Sequence, residues 1–260
     1  MTERVTIQIA NGVADVRLNR PEKRNALDAP MFAALVDAGK KVSVDNSVRA
    51  VVLSGEGLGF CAGLDFKSFL GGSDDLLAHE AGTLANRAQR AAFVWQEVPV
   101  PVLAAIHGVA FGGGLQIALG ADIRYATPDA QLSVMEIRWG LVPDMSGTQT
   151  LRHLVRLDVA KDLTFTGRVV SGTEAERLGL VTHVVDAPRE AALAAARAIA
   201  GRSPHAIRSA KQLLNAADLL SLEEGLALEE KLQRALLRSP NQIEAVMANM
   251  EKRDPAFQDP

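Results

Sequence analysis

The N-terminal segment alternates between apolar and polar residues. Apolar side chains at Val5, Ile7 and Ile9 are separated by single polar residues, which is the pattern of a half-buried strand. A second strand pattern begins directly after Asn11 and Gly12, and this dipeptide favours the type I′ turn of a tight hairpin. The chain is therefore predicted to open with a β-hairpin.

Longer apolar runs and helical periodicity predict the elements that follow. Asp28 is expected to cap a helix over residues 30–44, and residues 49–54 and Val102–Ile106 are rich in the apolar residues of buried strands. The other predicted elements are helices over 76–98, 115–119, 189–200, 204–217, 222–237 and 242–252, two short helices within 148–166, a helix that begins at Gly172, a flexible loop over 70–75 and a strand over 180–185. Because strands end near residue 185, we expect an α/β core over residues 1–187 followed by a helical region over 188–260.

The predicted helical region carries more apolar residues than two paired helices can bury. These residues are Leu222, Leu226, Leu228, Leu232, Leu236, Val246 and Met250. The surplus predicts that the region packs against the core or against another subunit.

Composition and charge exclude several classes of protein. The 260 residues are 48% hydrophobic and 23% charged, and the formal net charge of −3 gives no basic footprint for nucleic acid. Cys61 is the one cysteine, so no internal disulfide is expected, and the five histidines are too scattered to predict a metal site. The alternating start does not resemble a secretory signal, and no apolar run approaches the ~20 residues of a membrane span. These features favour a cytoplasmic enzyme with no metal and no nucleic-acid or membrane partner.

Three consecutive glycines, Gly112, Gly113 and Gly114, stand between a predicted strand and a predicted helix. The free N–H groups at such a helix start can bind a phosphate or the oxyanion that develops on a carbonyl. The residues that follow lack the lysine of a Walker loop, and the contiguous glycines do not match a dinucleotide fingerprint. An oxyanion site is therefore favoured, and the alternative is a helix that merely packs closely on a strand.

Several segments of the chain match, in residues and in order, the sequence motifs of one known group of enzymes. They are NRPEKRNAL, FCAGLDF, AAIHGVAFGGG, ADIRYAT, SGTQTLRHLV, LTFTGRVVSGTEAERLGLVTHVV and EKRDPAF, together with Glu136 and residues 140–143. Over essentially its whole length the chain resembles the crotonase, or enoyl-CoA hydratase/isomerase, superfamily. The resemblance implies an α/β fold, a spiral of ββα units, with a C-terminal helical region that covers the active site and forms trimers or hexamers (dimers of trimers).

The resemblance also implies acyl-CoA thioester substrates, with CoA as part of the substrate and no separate cofactor. Two backbone N–H groups are expected to hold the thioester oxygen as an enolate, and by motif these belong to Ala62 and Gly113. The expected substrate- and CoA-binding residues are Lys23, Arg24, Ala26, Gly63, Leu64, Asp65, Gly112 and Gln116. For Lys23 and Arg24 the alternative is a solvated loop charge.

The candidate acid–base residues distinguish between the reactions of this superfamily. Its hydratases use two glutamates, and the first of these positions holds Gln116, which cannot transfer a proton at neutral pH. The second is Glu136, whose apolar neighbours predict a raised pKa suited to proton transfer. Asp144 stands where hydratases usually carry glycine and where dienoyl-CoA isomerases carry aspartate. Those isomerases also have an acid at the position of Gln116, so the match is partial, and the alternative role for Asp144 is a helix N-cap.

The leading hypothesis is double-bond isomerisation of an enoyl- or dienoyl-CoA, with Glu136 as principal acid–base group and Asp144 as its partner. Enoyl-CoA hydration is a close alternative, and a catalytically impaired acyl-CoA-binding protein is another. A thioester hydrolase is less favoured because the Gly-x-Ser-x-Gly elbow is absent around Ser146. A nucleophilic role for Cys61 is disfavoured because no activating base lies near it in the sequence.

Overall fold

The chain opens with the predicted hairpin, β1 (Val5–Ala10) and β2 (Val13–Leu18), which pair antiparallel. Asn11 and Gly12 have φ angles of 51° and 78°, and two positive φ angles are what a type I′ turn requires. The computed structural model describes residues 3–69, 75–79 and 82–260 of the chain. The hairpin prediction is confirmed.

Seven further strands follow the hairpin in the described residues. They are β3 (Ala50–Gly55), β4 (Val102–Ile106), β5 (Val109–Phe111), β6 (Ile123–Ala126), β7 (Gln131–Ser133), β8 (Val170–Ser171) and β9 (His183–Val184). The main sheet has the order β1-β2-β3-β4-β6-β9 and is parallel from β2 onward. Every residue of β3 and β4 is buried, which explains their unbroken apolar runs.

A second sheet lies beyond the carboxyl ends of the main strands. In it β5 pairs parallel with β7, and β7 pairs antiparallel with β8. Isolated parallel bridges between Cys61 and Ala110 and between Leu27 and Leu64 extend the same pairing to the segments after β3 and β2. Main strands therefore run into short second-sheet segments before their helices, which is the ββα repeat expected for the fold. This repeat sets the two glycine-rich junctions side by side.

The helices alternate with these strands and then continue alone to the end of the chain. They are α1 (Ala29–Val44), α2 (Phe66–Phe69), α3 (Arg87–Glu97), α4 (Gly113–Leu119), α5 (Gly147–Leu154), α6 (Leu157–Thr166), α7 (Gly172–Leu178), α8 (Pro188–Ala200), α9 (Pro204–Ala216), α10 (Leu222–Leu236) and α11 (Pro240–Glu251). Short 3-10 helices occupy Pro21–Lys23 and Glu136–Trp139. Asp28 caps α1 as predicted, because its carboxylate accepts the N–H of Met31 at 3.0 Å.

The predicted helix over residues 76–98 is wrong in its first half. Helix α3 begins only after Asn86, whose side chain accepts the N–H of Gln89 while the side chain of Gln89 accepts the N–H of Asn86, both at 2.9 Å. This reciprocal capping box fixes the start of the helix, although the apolar pattern continues upstream. Of the predicted flexible loop over 70–75, residues 70–74 lie outside the described part of the chain.

The main sheet is covered on both faces. One face packs against α1, α3 and α4 in the larger core, where Trp95 is fully buried. The other face packs against α8 through Ala192, Ala196 and Ala200, which contact small and branched side chains of β2, β3 and β4. The predicted boundary at residue 187 therefore lies just before a helix that belongs to the sheet by its packing.

The last helices make fewer contacts with the core. A buried lysine, Lys211 of α9, donates to Asp122 at 2.7 Å and to the carbonyl of Val100 at 3.1 Å, which joins α9 to the sheet. Helix α10 has no buried residue, and Leu222 and Leu226 are exposed. In the described residues no helix combines the length and apolarity needed to cross a membrane.

Candidate active site

The two glycine-rich junctions meet at the start of α4. Gly63 has a φ angle of +84°, and a Cβ atom built on it would lie 2.6 Å from the carbonyl oxygen of Phe111 and 3.9 Å from the nitrogen of Gly113. Only glycine permits both this backbone angle and this close approach. The loop after β3 is thereby held against the first turn of α4.

Gly112 brings a carboxyl group to the same point. It caps α4 with φ 51° and ψ −120°, a conformation that side-chain-bearing residues avoid. A Cβ atom at Gly112 would lie 3.1 Å from Oε1 of Glu136. The missing side chain therefore lets Glu136 pack directly against the helix start.

The prediction of Ala62 as an oxyanion-hole donor is wrong. The N–H of Ala62 donates to the carbonyl of Arg24 at 2.9 Å, so it already has a partner within the protein. Among the described residues, the N–H groups of Leu64 and Gly113 have no hydrogen-bond acceptor. These two donors come from adjacent junctions, and both are available to an external oxygen.

A cavity of about 180 Å³ lies where these groups meet. The predicted site residues that line it are Ala62, Gly63, Leu64, Gly112, Gly113, Glu136 and Asp144. Its apolar wall includes Phe66 and Trp139, whose ring centroids are 4.3 Å apart. The cavity thus combines an apolar wall, two carboxyl groups and two free N–H groups, an arrangement typical of a small-molecule site.

Glu136 is the buried carboxyl group of the cavity. It begins the 3-10 helix after β7 and is 8% exposed. Its Oε1 accepts a hydrogen bond of 2.6 Å from Nε2 of Gln116, and its buried Oε2 has no partner among the described residues. Burial raises the pKa of Glu136 above its ordinary value, and the negative charge of Asp144 adds to this effect.

Asp144 lies on the loop before α5 and lines the same cavity. The residue is exposed, but neighbouring groups partly desolvate its carboxyl group and raise the pKa of that group. The alternative role as a helix N-cap is wrong, because the N-cap of α5 is Ser146, which has a φ angle of 63° and no capping side-chain bond. The structure therefore brings Asp144 and Glu136 together, as the sequence predicted.

Gln116 was expected to contact the substrate, but the structure places its side chain outside the cavity. Its buried side chain does not line the cavity, and it accepts the N–H groups of Met145 and Gly147 at 2.8 and 2.9 Å. A Cβ atom on Gly147 would lie 2.4 Å from the Gln116 oxygen, so this contact is close-packed. Gln116 contacts Glu136 rather than the cavity.

The predicted CoA-binding residues fall into two groups. Lys23 and Arg24 are exposed at the end of the first 3-10 helix, where their charges are accessible. Ala26 is buried, and Asp65 pairs with the buried Arg20 at 2.9 Å, so these two residues hold the loops in place. For Ala26 and Asp65 the geometry indicates a structural role.

Asn25 is a structural residue of the site that sequence reasoning missed. Its fully buried amide donates to the carbonyls of Gly59 and Phe60 at 2.9 and 3.1 Å, directly before the loop that carries Leu64. Its φ angle of 57° is one that asparagine tolerates better than most residues. The signal in the sequence was an asparagine within a charged, turn-rich segment.

Cys61 directly precedes the cavity residue Ala62 in the chain. Cys61 is fully buried, and burial raises the pKa of its thiol to about 12, so it is not a ready nucleophile. In the part of the chain that the structure describes, no three His, Cys, Asp or Glu residues are grouped to hold a metal ion.

Comparisons with known proteins identify the family of the chain. The sequence model of the Enoyl-CoA hydratase/isomerase family matches residues 8–260. Mouse mitochondrial Delta(3,5)-Delta(2,4)-dienoyl-CoA isomerase is 36% identical over 253 residues, covering 93% of this chain and 77% of that protein. Mouse mitochondrial methylglutaconyl-CoA hydratase is 33% identical, covering 95% and 79%. An enoyl-CoA hydratase structure from Bacillus anthracis superimposes with a TM-score of 0.90 at 31% identity, covering 98% of each chain. The chain belongs to the enoyl-CoA hydratase/isomerase family, within the crotonase superfamily.

Proposed function

We propose that this protein is an isomerase that shifts a double bond in an enoyl- or dienoyl-CoA thioester. The observation that carries the proposal is the pair of carboxyl groups, Glu136 and Asp144, in one cavity with two free N–H groups. The position of the first hydratase glutamate holds Gln116, an amide that cannot exchange a proton at neutral pH.

The free N–H groups of Leu64 and Gly113 are proposed to bind the thioester oxygen. When a proton leaves the carbon chain, negative charge accumulates on this oxygen and both hydrogen bonds strengthen. Loss of one such donor typically costs about 3–4 kcal/mol of transition-state stabilisation.

Glu136 is proposed to move the proton. Its ionised carboxylate takes a proton from the α- or γ-carbon of the substrate, and the C–H electron pair enters the enolate. A proton is then delivered to a different carbon, and the double bond moves without any change in composition. Either Glu136 returns the proton that it took, or a protonated Asp144 gives up its own proton while Glu136 keeps the first one. The raised pKa of Glu136 brings it closer to what reversible proton transfer at neutral pH requires.

The exposed side chains of Lys23 and Arg24 are proposed to contact the phosphates of CoA. Arg24 lies close to the cavity in space, because its carbonyl accepts the N–H of the cavity residue Ala62, and Lys23 directly precedes it. Cationic side chains at this edge suit a ligand that carries several phosphate groups.

Enoyl-CoA hydration is the second candidate. It is favoured by the names of several similar proteins, including the mouse hydratase and the B. anthracis enzyme, and by the presence of Glu136 at the second hydratase position. It is weakened by Gln116, because addition of water needs a group that accepts a proton from the water.

One assay separates the two reactions. The purified protein is incubated with 2-enoyl-, 3-enoyl- and 3,5-dienoyl-CoA in heavy water, and the products are weighed and their double bonds located. The proposal expects an isomer with no added water, with or without deuterium on carbon. A product heavier by one water molecule would show hydration instead, and intact substrate that remains tightly bound would indicate an acyl-CoA-binding protein.

We also propose that the protein forms a homotrimer or a hexamer of paired trimers through its C-terminal helices. The argument is the exposed apolar surface there, which includes Leu222 and Leu226 on α10 and Met250 on α11. Light scattering coupled to gel filtration tests this assembly, and a monomer at micromolar concentration would contradict it.

A further inference from the structure

The side chain of Gln116 connects the two candidate acid–base residues without lining the cavity. Its Oε1 accepts the N–H of Met145, the residue directly after Asp144, at 2.8 Å, and the N–H of Gly147 at 2.9 Å. Its Nε2 donates to Oε1 of Glu136 at 2.6 Å. One buried amide therefore contacts both the loop of Asp144 and the carboxyl group of Glu136.

These partners fix the orientation of the amide. Backbone N–H groups only donate, so the side-chain atom that receives two of them must be the carbonyl oxygen. The NH₂ group must then face Glu136, whose Oε1 can only accept in this hydrogen bond. A proton on Glu136 accordingly resides on Oε2, the oxygen that has no partner among the described residues.

We propose that Gln116 is a positioning residue that keeps the proton of Glu136 on Oε2 and fixes the loop of Asp144. This inference rests on the proposed function. An amide at this position supplies no second base to activate water, and it leaves the proton to pass between Glu136 Oε2 and the substrate carbon.

The charged surroundings of Glu136 make the inference measurable. Asp144, on the loop before α5, is the titratable residue among those described whose charge acts on Glu136, and it opposes ionisation. From α4, the donated hydrogen bond of Gln116 favours the ionised carboxylate and lowers the pKa, while burial raises it. Removing the donor should therefore raise the pKa of Glu136.

The first test compares Gln116→Leu with wild type. The acid limb of the kcat/KM profile is expected to move to higher pH, and kcat is expected to fall by about 10- to 100-fold as Asp144 and Glu136 lose their alignment. Gln149→Leu is the matched control, because Gln149 is exposed on α5 and its side chain donates to its neighbour Thr148, away from Glu136. An acid limb unchanged from that of wild type and of the control overturns the inference.

The second test uses Gln116→Glu, which keeps an oxygen for the two N–H groups. Its other oxygen would face Glu136, and two carboxyl groups at that distance must share a proton. An additional ionisation, coupled to that of Glu136, is expected in the pH profile. If it does not appear in this folded variant, the inference is wrong.

A third measurement needs no turnover. Infrared titration of the ligand-free protein follows the carboxyl band of Glu136, identified by its loss in Glu136→Gln. An upward shift of its midpoint in Gln116→Leu, absent in Gln149→Leu, supports the inference even if wild-type protein isomerises no substrate. Unchanged midpoints with active wild-type enzyme defeat the inference alone, whereas inactive wild-type enzyme defeats the proposed function alone.

Discussion

Nη2 of Arg20 lies 2.9 Å from Oδ2 of Asp65, and only 10% and 12% of these side chains are exposed. Arg20 also donates to the carbonyl of Ala26 at 2.9 Å, and the N–H of Asp65 donates to the carbonyl of Leu27 at 2.9 Å. The pair thus joins the turn after β2 to the loop that presents the N–H of Leu64. A charged contact outside the cavity holds one wall of the site.

Replacing Arg20 by methionine should destabilise the fold by about 3–5 kcal/mol, because the largely buried carboxyl groups of Asp65 and Asp28 would each lose a counter-charge. Urea unfolding measures this difference in the free energy of unfolding. The control is Arg234→Met, which breaks an exposed pair with Glu230 on α10 and should cost about 0–1 kcal/mol. Equal losses in the two variants would contradict the structural role of the Arg20–Asp65 pair.

Replacing Gly63 by alanine should lower kcat by about 10²- to 10³-fold, the usual effect of losing one oxyanion donor. The new methyl group would meet the carbonyl of Phe111 at 2.6 Å and force the next residue, Leu64, to move its N–H. Steady-state kinetics measures the effect, with whichever of the three acyl-CoA thioesters the wild-type protein converts in the heavy-water assay. Gly225→Ala is the control, since its added methyl group meets no atom within 4 Å. Full activity in Gly63→Ala would exclude Leu64 as a donor.

Glu136→Gln should lower kcat by about 10²- to 10⁴-fold while the protein still folds, because an amide of the same shape cannot carry the proton. Single-turnover kinetics is the measurement, with circular dichroism to verify the fold. Glu229→Gln changes an exposed glutamate on α10 and should leave turnover unchanged. Retained turnover in Glu136→Gln would remove this residue from the mechanism.

The pH dependence of kcat/KM should report the raised pKa of Glu136. A base must be ionised, so the rate should fall as the pH drops through this pKa. Because the charge of Asp144 raises the pKa of Glu136, Asp144→Asn should move the acid limb to lower pH. Asp129→Asn, in an exposed turn between β6 and β7, should leave the limb in place. A limb that moves upward, or does not move, in Asp144→Asn would contradict direct coupling of the two carboxyl groups.

Much of the fold could be predicted because the conformations favoured by short sequence segments are the ones that these segments adopt in the structure. The Asn11-Gly12 turn, the Asp28 cap and the buried runs of β3 and β4 all carried their own structural information. Strands β5, β6 and β7 escaped prediction because they have only three or four residues. Their pairing partners lie far apart in the chain, and no local pattern encodes such contacts.

In the candidate site, too, local motifs were predictive, whereas roles that depend on distant contacts were not. Motifs identified Gly113, Glu136 and Asp144, and the structure brings these residues to one cavity. The motif could not tell which N–H of its loop was free, since that depends on the carbonyl of Arg24 reaching Ala62. Likewise, the role of Gln116 depends on the N–H groups of Met145 and Gly147, which lie 29 and 31 positions further along the chain.

Helix α10 has a consequence for how the protein behaves in dilution. It has a capping box at Ser221 and Glu224, yet none of its 15 residues is buried by its own chain. Helices of this length are marginal in water without packing partners. If a second copy supplies that packing, mass action links the order of this segment to protein concentration. The unfolding midpoint should then rise with concentration, and the last helices should be the first to be cut by protease in dilute samples.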